Sequence, residues 1–194
     1  MQADGWGQAR SPFDLGGRRV GLVGFGGIGK RVAQLLSPFR CDITSCDPHA
    51  DFTGTAVRQV ELDELLDRSE VVSIHAGMTD ETKDMLGEQE LKCMPDNALI
   101  VNTAREGILN EEAITAELVS GRLRAALNVF WKEPLAADHP LRGLDNVILT
   151  PHGGGLTHDR QVRQSRSLVS DLKRVSEGGR PEHEVTREML LRMT

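Results

Sequence analysis

The sequence contains no apolar run that approaches the roughly 20 residues of a membrane-spanning helix. It also lacks an excess of positive charge, since 23 lysines and arginines face 29 aspartates and glutamates, for a formal net charge of −6. A surface that binds a nucleic-acid backbone needs clustered basic side chains. Residues 1–10 hold no apolar core of a secretory signal. We therefore expect a cytoplasmic protein with neither a membrane nor a nucleic acid as its partner.

Cysteine is scarce as well, with Cys41, Cys46 and Cys93 as the residues of this type. An odd number of cysteines, at spacings that match no zinc or redox motif, predicts buried, reduced thiols and no metal site. Glycine, by contrast, is abundant, and its 20 residues suit a fold with many tight turns. A length of 194 residues, with 39% hydrophobic and 27% charged residues, is typical of one globular domain with a sizeable core.

Strand and helix patterns alternate along the chain. Short apolar runs predict strands at 19–25, 41–46, 70–75, 98–102, 125–130 and 147–150. Helices are expected at 27–36, 61–68, 80–86, 88–93, 110–120 and 157–176, with further helical structure near the end of the tail. This alternation predicts an α/β fold, a Rossmann-type doubly wound parallel sheet in three α/β/α layers. We divide the chain into an N-terminal arm or helix stub (1–17), the domain itself (18–178) and a C-terminal tail (179–194).

A glycine turn follows the first predicted strand and opens the first predicted helix. Gly24, Gly26 and Gly29 fit the pattern G-x-G-x-x-G, in which glycines permit a tight turn, backbone approach to a pyrophosphate and close helix–strand packing. Asp47 lies 18 residues beyond Gly29, where a carboxylate can accept hydrogen bonds from an adenosine ribose. This carboxylate would repel a 2′-phosphate, so the sequence favours NAD over NADP. The alternative interpretation makes Asp47 the first residue of an Asp-Pro turn.

Three chemically active side chains, Arg105, Glu133 and His152, follow the last three predicted strands. In a parallel sheet such positions share one edge, where ligands bind. A guanidinium can grip a carboxylate with two hydrogen bonds, and an imidazole can exchange a hydroxyl proton near neutral pH. A carboxylate bonded to the imidazole fixes its tautomer. The set suits a small 2-hydroxy acid or 2-oxo acid substrate, whereas His75, which also ends a strand, is interpreted as a packing or wall residue.

With these residues identified, the sequence resembles the D-isomer-specific 2-hydroxyacid dehydrogenases, in particular the phosphoglycerate dehydrogenase-like members. The motifs that carry the resemblance are the glycine turn, 102–105 (NTAR), 128–134 (NVFWKEP) and 150–152 (TPH). The resemblance implies an NAD-dependent oxidoreductase in which Arg105 binds substrate, His152 is the general acid or base, and Glu133 is its partner. The cofactor-binding residues that it implies are Gly24, Gly26, Gly27, Ile28, Gly29, Asp47, Thr103, Ala104, Arg105, Asn128 and His152. It also implies a homodimer with Trp6 and Phe13 as contact residues, a core role for these two being the alternative.

The sequence departs from the family pattern at several points. Asn128 stands where the family usually has Asp at the nicotinamide carboxamide, Glu106 stands beside Arg105 where a small residue is usual, and Gly77 replaces a proline in a loop over the cofactor. The residues before Gly24 are too few to supply the first half of the family's separate substrate domain. Two alternatives to an active enzyme therefore stay open: a truncated NAD-binding module without turnover, and an NAD-sensing interaction protein.

Overall fold

The computed structural model describes residues 14–155 and 157–190, apart from the side chain of Glu188. Most of the predicted N-terminal arm, including Trp6 and Phe13, lies outside the described residues. Within them, seven parallel strands form one sheet: β1 (Arg19–Val23), β2 (Asp42–Cys46), β3 (Arg58–Gln59), β4 (Val71–Ile74), β5 (Leu99–Asn102), β6 (Arg124–Leu127) and β7 (Val147–Leu149). The spatial order is β3-β2-β1-β4-β5-β6-β7, so the strand order reverses beside β1. Ligands of such sheets bind at this reversal, beyond the carboxyl ends of the strands.

Helices cover the sheet or extend from it. In the described part of the chain they are α1 (Gly27–Leu36), α2 (Leu62–Arg68), α3 (Glu88–Cys93), α4 (Glu111–Val119), α5 (His158–Ser176) and α6 (Arg187–Leu190), with short 3-10 helices at Ser37–Phe39 and Glu106–Ile108. α4 begins directly after Asn110, whose side chain caps the helix by accepting a hydrogen bond from the Ala113 N–H at 3.1 Å. α1 ends where Pro38 follows in the 3-10 turn and Arg40 adopts a left-handed backbone with φ 54°.

Buried apolar side chains form two clusters, one on each side of the sheet. Successive residues of a strand point to opposite sides, so Val72 of β4 packs in one cluster with Leu65 of α2. Its neighbour Val71 belongs to the other cluster, together with Ala33 of α1. Each fully buried valine or leucine side chain contributes roughly 1.5–3 kcal/mol to the free energy of unfolding. The two clusters therefore fix α1 against one face of the sheet and α2, α3 and α4 against the other, which gives the predicted three layers.

The doubly wound α/β fold and all six predicted strands are confirmed, with bounds shifted by a few residues. The strand β3 was missed, because two polar residues carry no apolar pattern. The helix predicted at 80–86 is wrong, since residues 80–84 form turns and the segment contains no helical residue. Asp84 has a left-handed backbone with φ 51°, which a helix does not accommodate. Leu86 instead forms an isolated parallel bridge with Leu109.

The helix α5 contains no buried residue, although apolar side chains repeat along it. Leu168, Val169 and Leu172 are exposed by 59%, 65% and 70% of their surface. The tail folds back along this helix, where the Asp171 carboxylate accepts a hydrogen bond of 2.8 Å from the Glu182 N–H. Within the described residues, no helix combines the length and the apolar character that crossing a membrane requires.

Candidate active site

The glycine turn joins β1 to α1 in a space too small for side chains at two of its positions. Gly24 has φ 94°, and a Cβ there would lie 2.6 Å from the Ala76 nitrogen. A Cβ on Gly29 would lie 2.3 Å from the carbonyl oxygen of Gly24. At Gly26, in contrast, an added Cβ meets no described atom within 4 Å. The first and third glycines are therefore required by packing, and the second leaves the backbone open to an approaching ligand.

This turn fits the pyrophosphate of a dinucleotide. Gly26 is the N-cap residue of α1 and provides no side-chain cap, so the first N–H groups of the helix keep their hydrogen-bonding capacity. These groups and the positive end of the helix dipole favour an anion. Ile28, in the same first turn, exposes 68% of its surface. The backbone of Gly27 and Ile28 is thus accessible at the helix start.

Asp47 closes the glycine turn from the end of β2. Its Oδ2 accepts a hydrogen bond of 2.7 Å from the Phe25 N–H, and its Oδ1 accepts one of 2.9 Å from the His49 N–H. The second bond is the turn that the alternative interpretation of Asp47 predicted. Each carboxylate oxygen can accept a further bond, so this structural role leaves capacity for ribose hydroxyls. Phe25 also stacks on Phe52 with ring centroids 4.5 Å apart, which ties the two loops together.

The loop after β5 carries Arg105. This residue is half-buried and has an extended backbone, with φ −142° and ψ 139°. One of its guanidinium nitrogens donates to the Ala104 carbonyl oxygen at 2.7 Å. Thr103 is exposed at the rim of the same loop. Glu106 begins the 3-10 helix that follows, so a carboxylate-bearing residue adjoins the arginine along the chain.

Glu133 and His152 are brought into direct contact from the loops after β6 and β7. The Nδ1 of His152 lies 2.9 Å from both carboxylate oxygens of Glu133. The Phe130 N–H donates to the same carboxylate at 3.1 Å and so fixes its orientation. His152 has φ 43°, an uncommon conformation for a residue with a side chain. Its N–H donates to the Thr150 carbonyl oxygen at 2.9 Å, which holds this conformation.

Electrostatics in the pair favour the charged carboxylate. The hydrogen bond with His152 is the main cause that lowers the pKa of Glu133 below its ordinary value, and the Phe130 N–H adds to it. A pocket of about 310 Å³ opens beside the pair, with Phe130, Leu135 and Leu149 among its walls. Both side chains reach solvent, with 50% of His152 and 38% of Glu133 exposed. The imidazole is therefore accessible to a bound molecule while its Nδ1 faces the carboxylate.

Asn128 lies between these loops and is 7% exposed. Its side-chain nitrogen donates to the Thr150 hydroxyl at 2.7 Å. The Thr150 hydroxyl lies 3.4 Å from the Leu127 carbonyl oxygen, to which it donates. Since the hydroxyl proton is used there, the Asn128 amide must present its NH₂ to Thr150. The Asn128 oxygen then faces Gly154, 3.3 Å from where a Cβ of that glycine would stand.

The candidate residues thus lie on one edge of the sheet, at the carboxyl ends of successive strands: Gly24, Gly26, Gly27, Ile28 and Gly29 after β1, Asp47 after β2, Thr103, Ala104 and Arg105 after β5, Asn128 and Glu133 after β6, and His152 after β7. Glu133 and His152 contact each other, whereas Asp47 and Arg105 belong to loops of their own. His75, after β4, is half-buried and lies 3.0 Å from the Ser73 hydroxyl through its Nε2.

Sequence reasoning gave no role to two side chains that support these loops. Asn102, 1% exposed, bonds to the backbone of the Arg105 loop. The Trp131 Nε1 donates to the Leu109 carbonyl oxygen at 3.1 Å and links this loop to the one that carries Glu133. A polar residue at the end of an apolar strand was the available signal for Asn102.

The cysteines and the metal-ligating residues form no further site in the described part of the chain. Cys41, Cys46 and Cys93 are free, but the prediction that they are buried is wrong. Cys93 is exposed at the end of α3, and the other two are half-buried. Among the described residues, no group of three or more His, Cys, Asp or Glu side chains could hold a metal ion.

The chain is similar to known proteins in both sequence and structure. The family model described as D-isomer specific 2-hydroxyacid dehydrogenase, NAD binding domain, matches residues 1–154. A hydroxypyruvate reductase of Thermotoga maritima is 39% identical over 82% of this chain and 53% of its own length. A glyoxylate reductase of Thermofilum pendens is 35% identical over 95% of this chain and 58% of its own. The crystal structure of a glyoxylate reductase from Paecilomyes thermophila superposes with a TM-score of 0.80 at 29% identity, over 94% of this chain and 56% of that one. The chain therefore spans a little over half the length of these relatives.

Proposed function

The chain belongs to the D-isomer specific 2-hydroxyacid dehydrogenase family, and on this basis we propose that it carries the NAD-binding and acid–base part of such an enzyme. The proposed reaction is hydride transfer between NAD(H) and C2 of a small 2-hydroxy or 2-oxo acid. The observation that carries the proposal is the contact of 2.9 Å between His152 and Glu133, on the same sheet edge as the glycine turn. Residues 18–178 would form the NAD-binding domain, followed by the tail at 179–194.

The cofactor would lie across the carboxyl ends of the strands. The backbone of Gly26, Gly27 and Ile28 would hold its pyrophosphate, with Gly24 and Gly29 shaping the turn, and Asp47 would hold the adenosine ribose. The nicotinamide end would meet Thr103, Ala104, Arg105, Asn128 and His152. When bound, NAD supplies or accepts the hydride. The carboxylate of Asp47 supports NAD over NADP, because it would repel a 2′-phosphate.

The side chains of the protein would bind the substrate and move its proton. Arg105 would bind the carboxylate of the substrate and polarise the carbonyl at C2. His152 would give a proton to the C2 oxygen in reduction and take it back in oxidation. Glu133, kept ionised by its hydrogen bonds, would hold the imidazole in the tautomer with the proton on Nδ1 and stabilise its charged form.

Titration and turnover assays test this proposal. We expect the purified chain to bind NADH more tightly than NADPH in calorimetric titrations, and to consume NADH with glyoxylate, hydroxypyruvate or 3-phosphohydroxypyruvate. In the reverse direction it should oxidise D-glycerate in preference to L-glycerate. The variant His152→Gln should keep NADH binding and lose turnover. Binding of NADH without any turnover would favour a binding module, and no binding of either dinucleotide would overturn the proposal.

We also propose that the protein is a cytoplasmic homodimer that uses the segment around α1. Leu35 and Phe39 support this, since they expose 57% and 47% of their surface at the end of that helix. The free thiols support a reducing compartment. Light scattering should give twice the mass of the chain, and Leu35→Glu should reduce it to the monomer. Val119→Glu on α4, where Val119 is exposed by 54%, serves as the control. A monomer in the unmodified protein would refute the dimer.

A further inference from the structure

The side chain of Asn102, the last residue of β5, is a fully buried polar group beside the candidate site. It is 1% exposed, and both the oxygen and the nitrogen of its amide form hydrogen bonds with the backbone. Its Oδ1 accepts a hydrogen bond of 3.0 Å from the Ala104 N–H, and its Nδ2 donates one of 2.9 Å to the Arg105 carbonyl oxygen. These bonds hold the Asn102 side chain in a single conformation, because rotation of the amide would leave buried polar groups without partners.

These two bonds determine the course of the chain through Thr103 to Arg105. The Ala104 N–H faces back toward Asn102, which closes a turn of three residues directly after the strand. The Arg105 carbonyl oxygen faces the same way, which sets the extended backbone of Arg105. Since the Cα–Cβ direction follows from the backbone, the side chain of Arg105 leaves the loop in a fixed direction at the sheet edge.

The far end of the same loop is fixed by packing. Ile108 and Leu109 are fully buried in the larger cluster, and the Asn102 backbone carbonyl accepts a bond of 3.0 Å from the Asn128 N–H. The backbone of Asn102 thus contacts the loop that carries Glu133, while its side chain contacts the loop that carries Arg105. Asn102 therefore contacts both loops, as the Trp131 side chain does from the opposite loop.

We infer that Asn102 is a positioning residue: its buried amide holds the Arg105 loop in the conformation that grips the substrate carboxylate. This inference rests on the proposed function, in which Arg105 binds that carboxylate. Asn102 itself touches neither substrate nor cofactor. Its loss should therefore weaken the binding of the acid more than the binding of the dinucleotide.

The chain offers a matched control in Asn146. Its side-chain nitrogen donates to the Leu118 and Leu123 carbonyl oxygens at 2.9 and 2.8 Å. This residue precedes β7 at the opposite end of the strands from the candidate site. Asn146→Ala removes two backbone contacts of the same kind and so reports a purely structural loss.

Oxamate, an unreactive analogue of a 2-oxo acid, is the probe. The affinities of NADH for the chain, and of oxamate for its NADH complex, are measured by calorimetry in the unmodified protein, Asn102→Ala, Asn102→Ser and Asn146→Ala, together with each melting temperature. Asn102→Ala should lower the affinity for oxamate by roughly tenfold or more, because a misplaced Arg105 no longer binds the carboxylate well. The affinity for NADH should change by less than about threefold. Asn146→Ala should lower the melting temperature and leave both affinities unchanged. Asn102→Ser keeps an acceptor for the Ala104 N–H and should recover part of the oxamate affinity.

The outcomes separate this inference from the proposed function. If the unmodified protein binds NADH and oxamate but Asn102→Ala changes oxamate no more than Asn146→Ala does, the inference is overturned and the proposed function stands. If Asn102→Ala does not fold, Asn102→Ser decides between the same two results. If the unmodified protein binds neither probe, the proposed function fails and the inference fails with it.

Discussion

The Cα of Gly29 faces the carbonyl oxygen of Gly24 so closely that a Cβ on residue 29 would lie 2.3 Å from it. This contact joins the start of α1 to the end of β1 and sets the height of the helix above the sheet. Gly26, in the same turn, differs from Gly29, since a Cβ there would meet no described atom within 4 Å. Packing therefore requires a glycine at position 29, whereas at position 26 the absence of a side chain leaves space for a ligand.

Gly29→Ala should destabilise the fold. The added methyl group meets backbone, which cannot rotate away, so the helix must shift from the strand at a cost of about 1–3 kcal/mol or more. Urea unfolding followed by circular dichroism measures this loss. A variant as stable as the unmodified protein would show that the helix moves away from the strand without cost.

Gly26→Ala should keep the fold and weaken the binding of NADH. Gly26 has φ −70°, which alanine adopts readily, and an N-cap change from Gly to Ala costs at most about 1 kcal/mol. The methyl group instead occupies the space that the pyrophosphate would enter, so NADH affinity should fall roughly tenfold or more, equivalent to about 1.4 kcal/mol. Unchanged affinity would place the pyrophosphate elsewhere.

Asp47→Ala should reduce the preference for NADH over NADPH. Without the carboxylate, the repulsion of a 2′-phosphate and the bonds to the ribose are both lost, so the ratio of the two dissociation constants should move toward unity by roughly tenfold. The Phe25 N–H also loses its acceptor at 2.7 Å, which should lower stability by about 1 kcal/mol. Asp47→Asn, which keeps an acceptor for that N–H, separates the structural from the electrostatic contribution in parallel titrations.

Much of this fold could be predicted because the signals are local. The apolar run at 98–102 becomes β5, and glycines mark the turn before α1. The end of β6 at Leu127, rather than at Phe130 as predicted, has no such signal, because Val129 and Phe130 are buried in a loop as they would be in a strand. Apolar pattern reports burial and not hydrogen-bond pairing, so loop and strand were indistinguishable there.

The candidate site was predictable by position and not by conformation. The rule that parallel strands end at one edge predicts Arg105, Glu133 and His152 at the same edge of the sheet, and the structure shows a contact between Glu133 and His152. No sequence pattern indicates that His152 has φ 43°, or that Asn102 turns its amide back on the chain. These features depend on contacts between loops, which form only after the sheet has assembled.

Glu133→Gln should reduce turnover with little effect on NADH binding. An amide in place of the carboxylate presents a neutral group to the Nδ1 of His152 and no longer stabilises the charged imidazole, so we expect a loss of roughly 10²- to 10⁴-fold in kcat. A matched pair away from the site, His139 with Glu111 at 3.4 Å, provides the control variant Glu111→Gln. Equal turnover in both variants would remove Glu133 from the mechanism.

Stability should fall in mild acid because of His75. Burial lowers the pKa of His75 below its ordinary value, so the folded protein binds a proton there less readily than the unfolded chain does. As the pH falls below about 6.5, the unfolded chain takes up this proton first, and the free energy of unfolding decreases until the pH reaches the lower folded-state pKa. The variant His75→Asn lacks this group. The free energy of unfolding of the unmodified protein, minus that of the variant, should therefore decrease between neutral pH and pH about 5. Urea unfolding at a series of pH values measures it, and a difference that stays constant over that range would show that His75 is as readily protonated in the folded protein as in the unfolded chain.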